Sequence, residues 1–468
     1  MTTREPAPFT AIVLAAGQGT RMKSDTPKVL HELCGRPMVD YVIDAALAAG
    51  ADDVIVVVGY GREALTAHLA ATYQDRVKTA VQEAQRGTGD AVRVALPKLA
   101  EHAREVLVLC GDTPLLDPNE LVLLAASLGE TGVVSLLTAE AADPTGYGRV
   151  LRDRTGHILA VREHRDANDE ERRVREVNTG VYAVAAAFLR DAIGRLSPNN
   201  AQGELYLTDI IADAAFSGQT VGSLLAKSAS ALVGVNDRAQ LAAAEDILYG
   251  RIADRFRREG ITIRTSARID ASVVIEQDAT IEHHVVLRGN TRIGKGARID
   301  VGSVLTNVDV AENAVIKPYS IATDSTIGAS AQIGPFSHLR PQSRIEEEAH
   351  IGNFVETKKT RVRRGAKANH LAYLGDGDIG EGANIGAGTI FCNYDGFKKH
   401  HTEIGREAFI GSDSQIIAPV RIGVGAYVAT GTTVTKNVPD DALAISRVKQ
   451  ENKEGYASRL KARLKAAK

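Results

Sequence analysis

Residues 261–305 decide the fold of half of this chain: ITIRTSARIDASVVIEQDATIEHHVVLRGNTRIGKGARIDVGSVL. An aliphatic residue occupies every sixth position here, and the same spacing returns twice farther along the chain. The residues in this spacing are Ile263, Ile269, Ile275, Ile281, Leu287, Ile293, Ile299 and Leu305, then Ile321, Ile327, Ile333, Leu339, Ile345 and Ile351, then Ile404, Ile410, Ile416, Ile422, Val428 and Val434. A period of six is typical of a parallel β-helix, in which each aliphatic residue points into the coil and each hexad forms one flat face.

The six-residue spacing is interrupted twice, from Asn353 to Asp378 and from Phe391 to Glu403. Because a solenoid is stabilised by regular stacking, departures from the repeat mark loops or sites. Many of the aliphatic positions are followed by a glycine, as at Gly294 and Gly352, and glycine suits tight corners. We therefore expect a β-helix domain over residues 261–452 with two functional loops.

The first half of the chain follows a different pattern, in which apolar strands alternate with amphipathic helices. This alternation predicts an α/β domain over residues 1–236 with a mostly parallel sheet and helices on both faces. Ligands of such sheets bind beyond the carboxyl ends of the strands. The predicted strands are Thr10–Ala15, Val54–Val58 and Glu105–Leu109, and the predicted helices are Pro37–Ala49 and Glu63–Ala71.

Two further segments complete the predicted domain organisation. Residues 237–260 are charged and amphipathic, which predicts a connecting helix. Residues 453–468 are rich in lysine and arginine, and we expect a frayed, solvated tail there.

Length and composition exclude several classes of protein. The 468 residues suggest two or three domains. A formal net charge of −2 gives no electrostatic reason to expect nucleic-acid or membrane binding. Cys34, Cys110 and Cys392 are too few and too far apart for a disulfide framework or a thiolate metal site. Because we find neither a signal peptide at residues 1–10 nor a long apolar run, we expect a cytoplasmic protein.

The strongest motif in the first half is residues 14–22, LAAGQGTRM, followed by Pro27 and Lys28. Gly17 and Gly19 allow backbone N–H groups to approach a phosphate, while Arg21 and Lys28 add cations for a polyphosphate. A dinucleotide fingerprint would need a third glycine at position 22, which is methionine. A similar run at residues 289–295, GNTRIGK, is one hexad of the repeat, since Gly296 stands where a phosphate-binding loop needs Ser or Thr.

Two more motifs follow strands or precede helices in the first half. Asp112 comes directly after the strand at 105–109, where a carboxylate is well placed to bind a hard cation, although such an aspartate can equally cap a helix or a turn. Gly87-Thr88-Gly89 could cap the helix that begins near Asp90 or contact a base or a phosphate.

The second half has its own constellation around the two interruptions. His370 is the side chain best suited to accept a proton near pH 7, although a single loop histidine is usually only solvated or hydrogen-bonded. The adjacent pairs His283-His284 and His400-His401 are poor metal sites, because neighbouring residues of a strand point to opposite faces, and we interpret both pairs as structural.

Taken in order, the motifs resemble the sugar-1-phosphate nucleotidyltransferases. They are LAAGQGTRM, PKVL, QRGTGDA, GDTPL, TGYGR, EVNTG and GVNDR at residues 14–22, 27–30, 85–91, 111–115, 145–149, 176–180 and 234–238. With the repeat half included, the chain resembles, from about Phe9 to Gly455, the bacterial bifunctional N-acetylglucosamine-1-phosphate uridyltransferases and glucosamine-1-phosphate N-acetyltransferases. That resemblance implies a left-handed β-helix, trimers, and synthesis of UDP-N-acetylglucosamine for peptidoglycan and lipopolysaccharide precursors.

For the first half, the resemblance implies a magnesium-dependent transfer from UTP to N-acetylglucosamine 1-phosphate. Arg21 and Lys28 would stabilise the triphosphate and the leaving pyrophosphate, and Asp112 and Asn236 would hold Mg²⁺. The residues implied to bind the nucleotide or the sugar nucleotide are Leu14, Ala15, Ala16, Gly17, Gln82, Gly87, Thr88, Gly148, Glu163, Asn178 and Asn236.

For the second half, the resemblance implies transfer of the acetyl group of acetyl-CoA to glucosamine 1-phosphate. His370 would be the general base, Glu356 a candidate to orient it, and Arg447 a contact for coenzyme A phosphates. The other implied substrate-binding residues are Arg340, Lys358, Tyr373, Asn384, Ala387, Asn393, Tyr394, Ser412 and Thr430.

Two alternatives stay open at this point. The β-helix could be only a regulatory or oligomerising module on a nucleotidyltransferase. The presence of His370 and of the Asn393–Gly396 loop argues against this alternative, because a spacer needs neither. The chain could also be a non-catalytic scaffold that binds nucleotide sugars. The joint presence of four polar residues argues against this alternative, namely Arg21, Lys28, Asp112 and Asn236. Fold alone does not decide between these alternatives.

Overall fold

The computed structural model describes residues 9–129, 132–228 and 234–467. Residues 1–8, on which most of the signal-peptide prediction rests, and Lys468 of the basic segment lie outside these ranges. The chain forms two compact units, with the boundary between Gly250 and Arg251. Of the helices in the described ranges, none is both long enough and apolar enough to cross a membrane.

The first unit contains a mixed, mostly parallel sheet with helices on both faces, as predicted. The strands of this unit are β1 (Phe9–Ala15), β2 (Glu32–Leu33), β3 (Arg36–Pro37), β4 (Ala51–Val58), β5 (Val77–Val81), β6 (Glu105–Cys110), β7 (Gly132–Glu140), β8 (Arg149–Arg152), β9 (Ile158–Arg162), β10 (Glu176–Ala185) and β11 (Thr220–Leu225). Strands β2 and β3 form a separate two-stranded sheet. The helices of the unit are α1 (Met38–Ala48), α2 (Arg62–Tyr73), α3 (Thr88–Ala95), α4 (Pro118–Ser127), α5 (Ala186–Arg195) and α6 (Asp209–Phe216).

Strand β1 lies in the middle of this sheet, whose order is β11-β7-β10-β6-β1-β4-β5. It pairs in parallel with both β4 and β6, so the carboxyl ends of the three strands meet at one edge. Its side chains alternate between two cores, since Ala11 and Val13 pack on one face and Ile12 on the other. The loop after β1 therefore opens at the edge where ligands of parallel sheets bind.

A 21-residue helix, α7 (Arg238–Arg258), continues across the boundary between the two units. It overlaps the segment predicted to connect them. The basic segment that we expected to be a frayed tail instead contains α8 (Tyr456–Ala466), whose residues are almost all exposed. Alanine, leucine, lysine and arginine are strong helix formers, which explains a helix here without a buried face.

The second unit is a parallel β-helix, as the six-residue spacing predicted. Its strands are β12 (Thr262–Ile263), β13 (Arg268–Ile269), β14 (Val274–Ile275), β15 (Thr280–Ile281), β16 (Val286–Arg288), β17 (Arg292–Ile293), β18 (Arg298–Ile299), β19 (Val304–Val310), β20 (Val315–Ile316), β21 (Ile321–Ile327), β22 (Gln332–Ile333), β23 (His338–Leu339), β24 (Arg344–Ile345), β25 (His350–Asn353), β26 (Glu356–Val362), β27 (Lys367–His370), β28 (Tyr373–Ile379), β29 (Asn384–Ile385), β30 (Ile390–Cys392), β31 (Thr402–Ile404), β32 (Phe409–Ile410), β33 (Gln415–Ile417), β34 (Val420–Ile422), β35 (Tyr427–Val428), β36 (Thr433–Val434) and β37 (Leu443–Ala444).

One residue assigned to the interior was predicted wrongly. Ile321 is 44% exposed, and its neighbour Ala322 is the buried residue at that coil position. The preceding coil is one residue shorter than three hexads: Ile281 pairs with Ile299, a full three hexads on, but Ile299 pairs with Ile316. The seven-residue strand β19 turns its corner through Asn307, at φ 54°, and this shortening moves the inward position by one.

The first of the two predicted interruptions is also not a break in the coil. Strands β26, β27 and β28 continue the β-helix through residues 353–378. Thr357 and Ala368 take two of the inward positions there, and the buried Val362 follows Thr357 by five residues instead of six. The sequence pattern therefore fades while the coil persists. The second interruption is confirmed, since residues 393–401 leave the coil between β30 and β31.

A glycine at a corner is required by the neighbouring coil rather than by its own φ angle. A Cβ on Gly352 would lie 1.9 Å from the backbone oxygen of Asn369 in the next coil. Gly352→Ala is expected to separate the two coils and to lower the free energy of unfolding by about 1–3 kcal/mol. Denaturant unfolding followed by circular dichroism measures this change.

Gly194→Ala is the control for this substitution, because a Cβ at Gly194 in α5 meets no atom within 4 Å. Its expected effect on stability is neutral or slightly favourable, since alanine is the better helix former. Equal stability of Gly352→Ala and the wild type would show that the coils can shift to accept a methyl group.

Candidate active sites

The carboxyl edge of the first sheet brings together three polar residues that are far apart in the chain. The Lys28 ammonium donates to the Asp112 carboxylate and, at 3.2 Å from Nζ to Oδ1, to the side-chain amide oxygen of Asn236. The backbone N–H of Gly111 donates to Leu14 O at 2.9 Å, and that of Val235 donates to Asp112 O at 2.8 Å. These bonds fix the segments after β6 and before α7 against the loop after β1.

A cavity of about 290 Å³ opens beside this cluster. Its wall contains most of the residues predicted to bind the nucleotide, namely Leu14, Ala15, Ala16, Gly17, Lys28, Gln82, Gly87, Thr88 and Asp112. Cys110 also lines the cavity, but burial and the nearby Asp112 charge raise the pKa of its thiol to about 12. The thiol therefore stays protonated and is not a nucleophile.

Several of the predicted nucleotide-binding side chains are also bonded within the protein. The Gln82 amide donates to Gly87 O at 3.1 Å and to Asp90 Oδ2 at 2.9 Å, which shapes the turn before α3. Thr88 Oγ1 accepts a hydrogen bond from the backbone of Leu207. By contrast, Arg21 is exposed in a short 3₁₀ helix, and its side chain makes no hydrogen bond or ion pair with another described residue.

The residues predicted to contact the sugar form a second group in the first unit. Asn178 N donates to Gly148 O at 2.9 Å, and a Cβ on Gly148 would lie 3.5 Å from Glu163 Oε1. Thr208 donates to Glu163 Oε1 at 3.3 Å, while the Asn178 amide donates to the Tyr182 hydroxyl at 2.6 Å. Gly148, Glu163 and Asn178 thus lie close together in the first unit.

Burial raises the pKa of Glu163, and the bond from Thr208 only partly opposes this shift. The folded state therefore holds this proton more tightly than the unfolded chain does. The stabilisation due to the bound proton is present at low pH and is lost as pH rises through the raised pKa. Ionised Glu163 is thus a cost to stability near neutral pH.

Glu163→Gln is expected to melt a few degrees higher than the wild type at pH 8, and the difference should vanish near pH 4. Glutamine removes the charge and keeps an oxygen that can accept from Thr208. Thermal unfolding at the two pH values measures the effect, with Glu259→Gln, an exposed residue just after α7, as the control. A melting temperature at pH 8 no higher than that of the wild type would contradict the prediction.

In the β-helix, His370 bonds to a residue that the sequence did not single out for it. His370 Nδ1 lies 2.9 Å from Asn353 Oδ1, and the two residues face each other on β25 and β27. An amide oxygen only accepts hydrogen bonds, so Nδ1 carries the proton and Nε2 keeps a free lone pair. The imidazole is exposed and in the form that a general base requires.

A second cluster lies on the neighbouring face of the coils. Arg340 Nη1 donates to Glu356 Oε1 at 2.7 Å, and Glu356 lies opposite Tyr373 in the sheet. The Asn393 amide donates to Asp376 Oδ2 at 2.6 Å and approaches the Tyr373 hydroxyl at 3.4 Å. Glu356, a candidate to orient His370, is therefore bonded to Arg340, while Asn353 is the residue on the imidazole.

Asp376 is a residue of this cluster that was not predicted from the sequence. Its carboxylate accepts from Asn393 and lies 3.6 Å from the Lys358 ammonium, so it joins two predicted substrate-binding residues. One of these partners lies a coil earlier in the chain than Asp376, and the other lies a coil later. Polar residues one coil apart are the signal that could have identified both Asp376 and Asn353.

The remaining predicted residues of this unit lie on successive coils. Ala387 O accepts from Asp413 N at 2.7 Å, and Ser412 O accepts from Gly431 N at 2.9 Å. Arg447 Nη1 donates to the backbone oxygen of Thr430 at 2.7 Å. Asn384 lies opposite Phe409, on the outer face of the sheet.

A cavity of about 550 Å³ in this unit is lined by other residues, among them Arg363, Arg406 and Glu403. None of the predicted acetyltransferase residues lines it. Within one chain, several of the predicted residues are exposed, namely His370, Tyr394, Ser412, Thr430 and Arg447.

Known proteins resemble the chain along its whole length. A family model for the MobA-like NTP transferase domain matches residues 11–178. The chain is 67% identical over 468 residues to the bifunctional protein GlmU of Sorangium cellulosum, with 99% of each protein covered. It is 46% identical over 454 residues to the protein of that name from Pelobacter propionicus, covering 96% of this chain and 98% of the relative. The protein of that name from Streptomyces avermitilis is 44% identical over 466 residues, covering 98% of this chain and 96% of the relative.

These matches confirm the resemblance inferred from the motifs. They also confirm the predicted fold class, an α/β nucleotidyltransferase domain followed by a left-handed parallel β-helix, and the prediction of a transferase with two activities. The chain belongs to the family of bifunctional GlmU proteins.

Proposed function

We propose that the chain acetylates glucosamine 1-phosphate with acetyl-CoA and then transfers a uridylyl group from UTP to the resulting N-acetylglucosamine 1-phosphate. The observation that carries the proposal is that each unit holds its own cluster of the polar groups that one reaction needs. Lys28, Asp112 and Asn236 meet in the first unit, and Asn353 holds the His370 imidazole in the second.

In uridylyl transfer, an oxygen of the sugar phosphate attacks the α-phosphorus of UTP in line, and pyrophosphate leaves. Such a reaction needs positioning and neutralisation of charge rather than a protein nucleophile. Lys28 now neutralises Asp112, and it can exchange this contact for the phosphates of a bound nucleotide. The exposed Arg21 would supply a second cation to the triphosphate and to the leaving pyrophosphate.

Asp112 and Asn236 would hold Mg²⁺, which supplies neutralisation of phosphate charge when bound. A carboxylate and an amide oxygen are the hard ligands that this ion prefers, so the residues present fit it. Within the described ranges, no three His, Cys, Asp or Glu residues cluster closely enough to hold a metal ion. One carboxylate with phosphate oxygens and water is the common arrangement for Mg²⁺ in nucleotide enzymes.

In acetyl transfer, His370 Nε2 would take a proton from the 2-amino group of the sugar, which then attacks the thioester carbon. The acetyl group passes to nitrogen, and coenzyme A leaves as the thiol. Arg340 and Lys358 would hold the sugar phosphate with help from Tyr373 and Asn384. Ser412 and the backbone near Ala387 would face the acetyl oxygen as negative charge develops there.

We also propose an oligomeric state, domain limits and a cellular compartment for the chain. The exposure of His370, Ser412 and Arg447 within one chain supports a homotrimer, in which a neighbouring β-helix would cover the substrates. We also propose domain limits at residues 1–236, 237–260, 261–452 and 453–468. We propose a cytoplasmic enzyme with small-molecule substrates and without nucleic-acid or membrane partners.

Two product assays test the proposal on the full chain. Thiol release is measured from acetyl-CoA with glucosamine 1-phosphate, and pyrophosphate release from UTP with N-acetylglucosamine 1-phosphate. EDTA is expected to lower pyrophosphate release by at least about 100-fold and to leave thiol release unchanged, because only the first reaction uses the metal. Excess Mg²⁺ should restore the lost activity.

Each assay can contradict one part of the proposal. Folded wild type that releases no thiol would leave the β-helix as a structural or regulatory module. Pyrophosphate release that persists in EDTA would exclude a metal role for Asp112 and Asn236.

A further inference from the structure

The loop at residues 393–401 projects from the β-helix, yet it is closed by several hydrogen bonds. His400 N donates to Asn393 O at 2.8 Å, and Tyr394 forms a bridge with Lys399. The Lys399 ammonium also lies 4.6 Å from the centre of the Tyr394 ring. The loop therefore begins with Asn393 and Tyr394, both predicted to bind substrate, and His400 lies near its end.

Asp395 organises the interior of this loop through both of its carboxylate oxygens. Oδ1 accepts from the backbone N–H groups of Phe397 and Lys398, each at 2.7 Å, and Oδ2 lies 2.6 Å from His400 Nε2. The bond to His400 and the two backbone bonds hold the pKa of Asp395 well below its usual range. Asp395 is thus a charged partner for His400 at neutral pH.

The two residues at the start of the loop differ in burial. Asn393 is 4% exposed, and its amide is held by Asp376 on the coil below. Tyr394 is 57% exposed, and its hydroxyl donates to Gly396 O at 2.5 Å, inside the same turn. The coil therefore fixes Asn393 directly, whereas the direction of Tyr394 depends on the turn that Asp395 and His400 hold.

We propose that Asp395 and His400 are positioning residues for acetyl transfer, which fix the loop so that Asn393 and Tyr394 meet the amino sugar. The proposal rests on the proposed acetyltransferase function. It also separates the two adjacent histidines, both of which the sequence analysis interpreted as structural. His400 is bound to Asp395, whereas His401 is exposed and its imidazole makes no hydrogen bond to another described residue.

Steady-state kinetics of four full-length variants test this role. His400→Phe and Asp395→Ala remove the contact, His400→Gln keeps a donor for Asp395, and His401→Phe is the matched control. His400→Phe and Asp395→Ala are expected to raise KM for glucosamine 1-phosphate about 10-fold, which corresponds to loss of one hydrogen bond to a charged group. His400→Gln should recover most of this loss, and His401→Phe should resemble the wild type.

A merely structural role predicts a different result. Such a role would lower the melting temperature of His400→Phe and leave KM for glucosamine 1-phosphate unchanged, and that outcome overturns the proposal. Uridylyl transfer by the same variants reports whether the rest of the chain is intact, and it should be unchanged. If the wild type releases no thiol, the proposed function itself fails and this proposal falls with it; normal wild-type turnover with unaffected variants overturns only the positioning role.

Discussion

Replacing His370 with alanine is expected to lower the rate of thiol release from acetyl-CoA by about 10²- to 10⁴-fold and to leave uridylyl transfer unchanged. The imidazole Nδ1 is held by Asn353, which leaves Nε2 to accept the proton of the attacking amine. Alanine removes the base but leaves the Arg340–Glu356 and Asn393–Asp376 contacts, which involve no atom of His370. Turnover with saturating substrates measures the effect.

His283→Ala is the matched control for this substitution. His283 is another exposed histidine of the β-helix, bonded to the backbone oxygen of Thr265. It should keep wild-type thiol release. A His370→Ala variant that retains more than about a tenth of the wild-type rate would show that another group removes the proton.

Lys28→Ala is expected to produce the second large loss, a fall of about 10²- to 10³-fold in pyrophosphate release with normal thiol release. The ammonium is the only described cation bonded to Asp112, and it lies on the wall of the nucleotide cavity. Its removal takes away a charge that stabilises the triphosphate and the leaving pyrophosphate. Pyrophosphate release at saturating UTP and Mg²⁺ measures the loss.

The same substitution also leaves Asp112 without its ammonium partner. Because the carboxylate is largely buried, we expect the first unit to lose about 1–3 kcal/mol of stability in the absence of Mg²⁺ and nucleotide. Lys23→Ala, at an exposed neighbouring position, is the control for both measurements. Normal pyrophosphate release by Lys28→Ala would show that Lys28 has no role in uridylyl transfer.

The sequence predicted the architecture because both patterns are periodic. Each pattern reflects which side chains face a hydrophobic core. An apolar residue at a given position is enough to predict that its side chain faces inward. Ile321 shows the limit of this reasoning. A coil shortened by one residue at Asn307 moves the inward position to Ala322. The gap in the six-residue pattern between Leu305 and Ile321 does not show at which residue the coil shortens.

The polar contacts were less accessible to sequence reasoning. The motifs named Lys28, Asp112 and Asn236, but their contact depends on how loops far apart in the chain meet at one sheet edge. Asp376 was missed, and the contact of Asn353 with His370 was not predicted, because each contact joins neighbouring coils and the length of a coil is not constant along the domain. The position of a loop contact such as Asp395 with His400 depends on turn geometry rather than on periodicity.

The stacking of coils also allows the second unit to fold one coil at a time. Almost every contact in the acetyltransferase cluster joins residues about one coil apart, as with Asn353 and His370 or Asp376 and Asn393. Closing such short loops costs little entropy, and each new coil needs only its predecessor as a template. During synthesis the β-helix can therefore grow from its first coil as the chain emerges from the ribosome, and the groups around His370 assemble before residue 447 has been added.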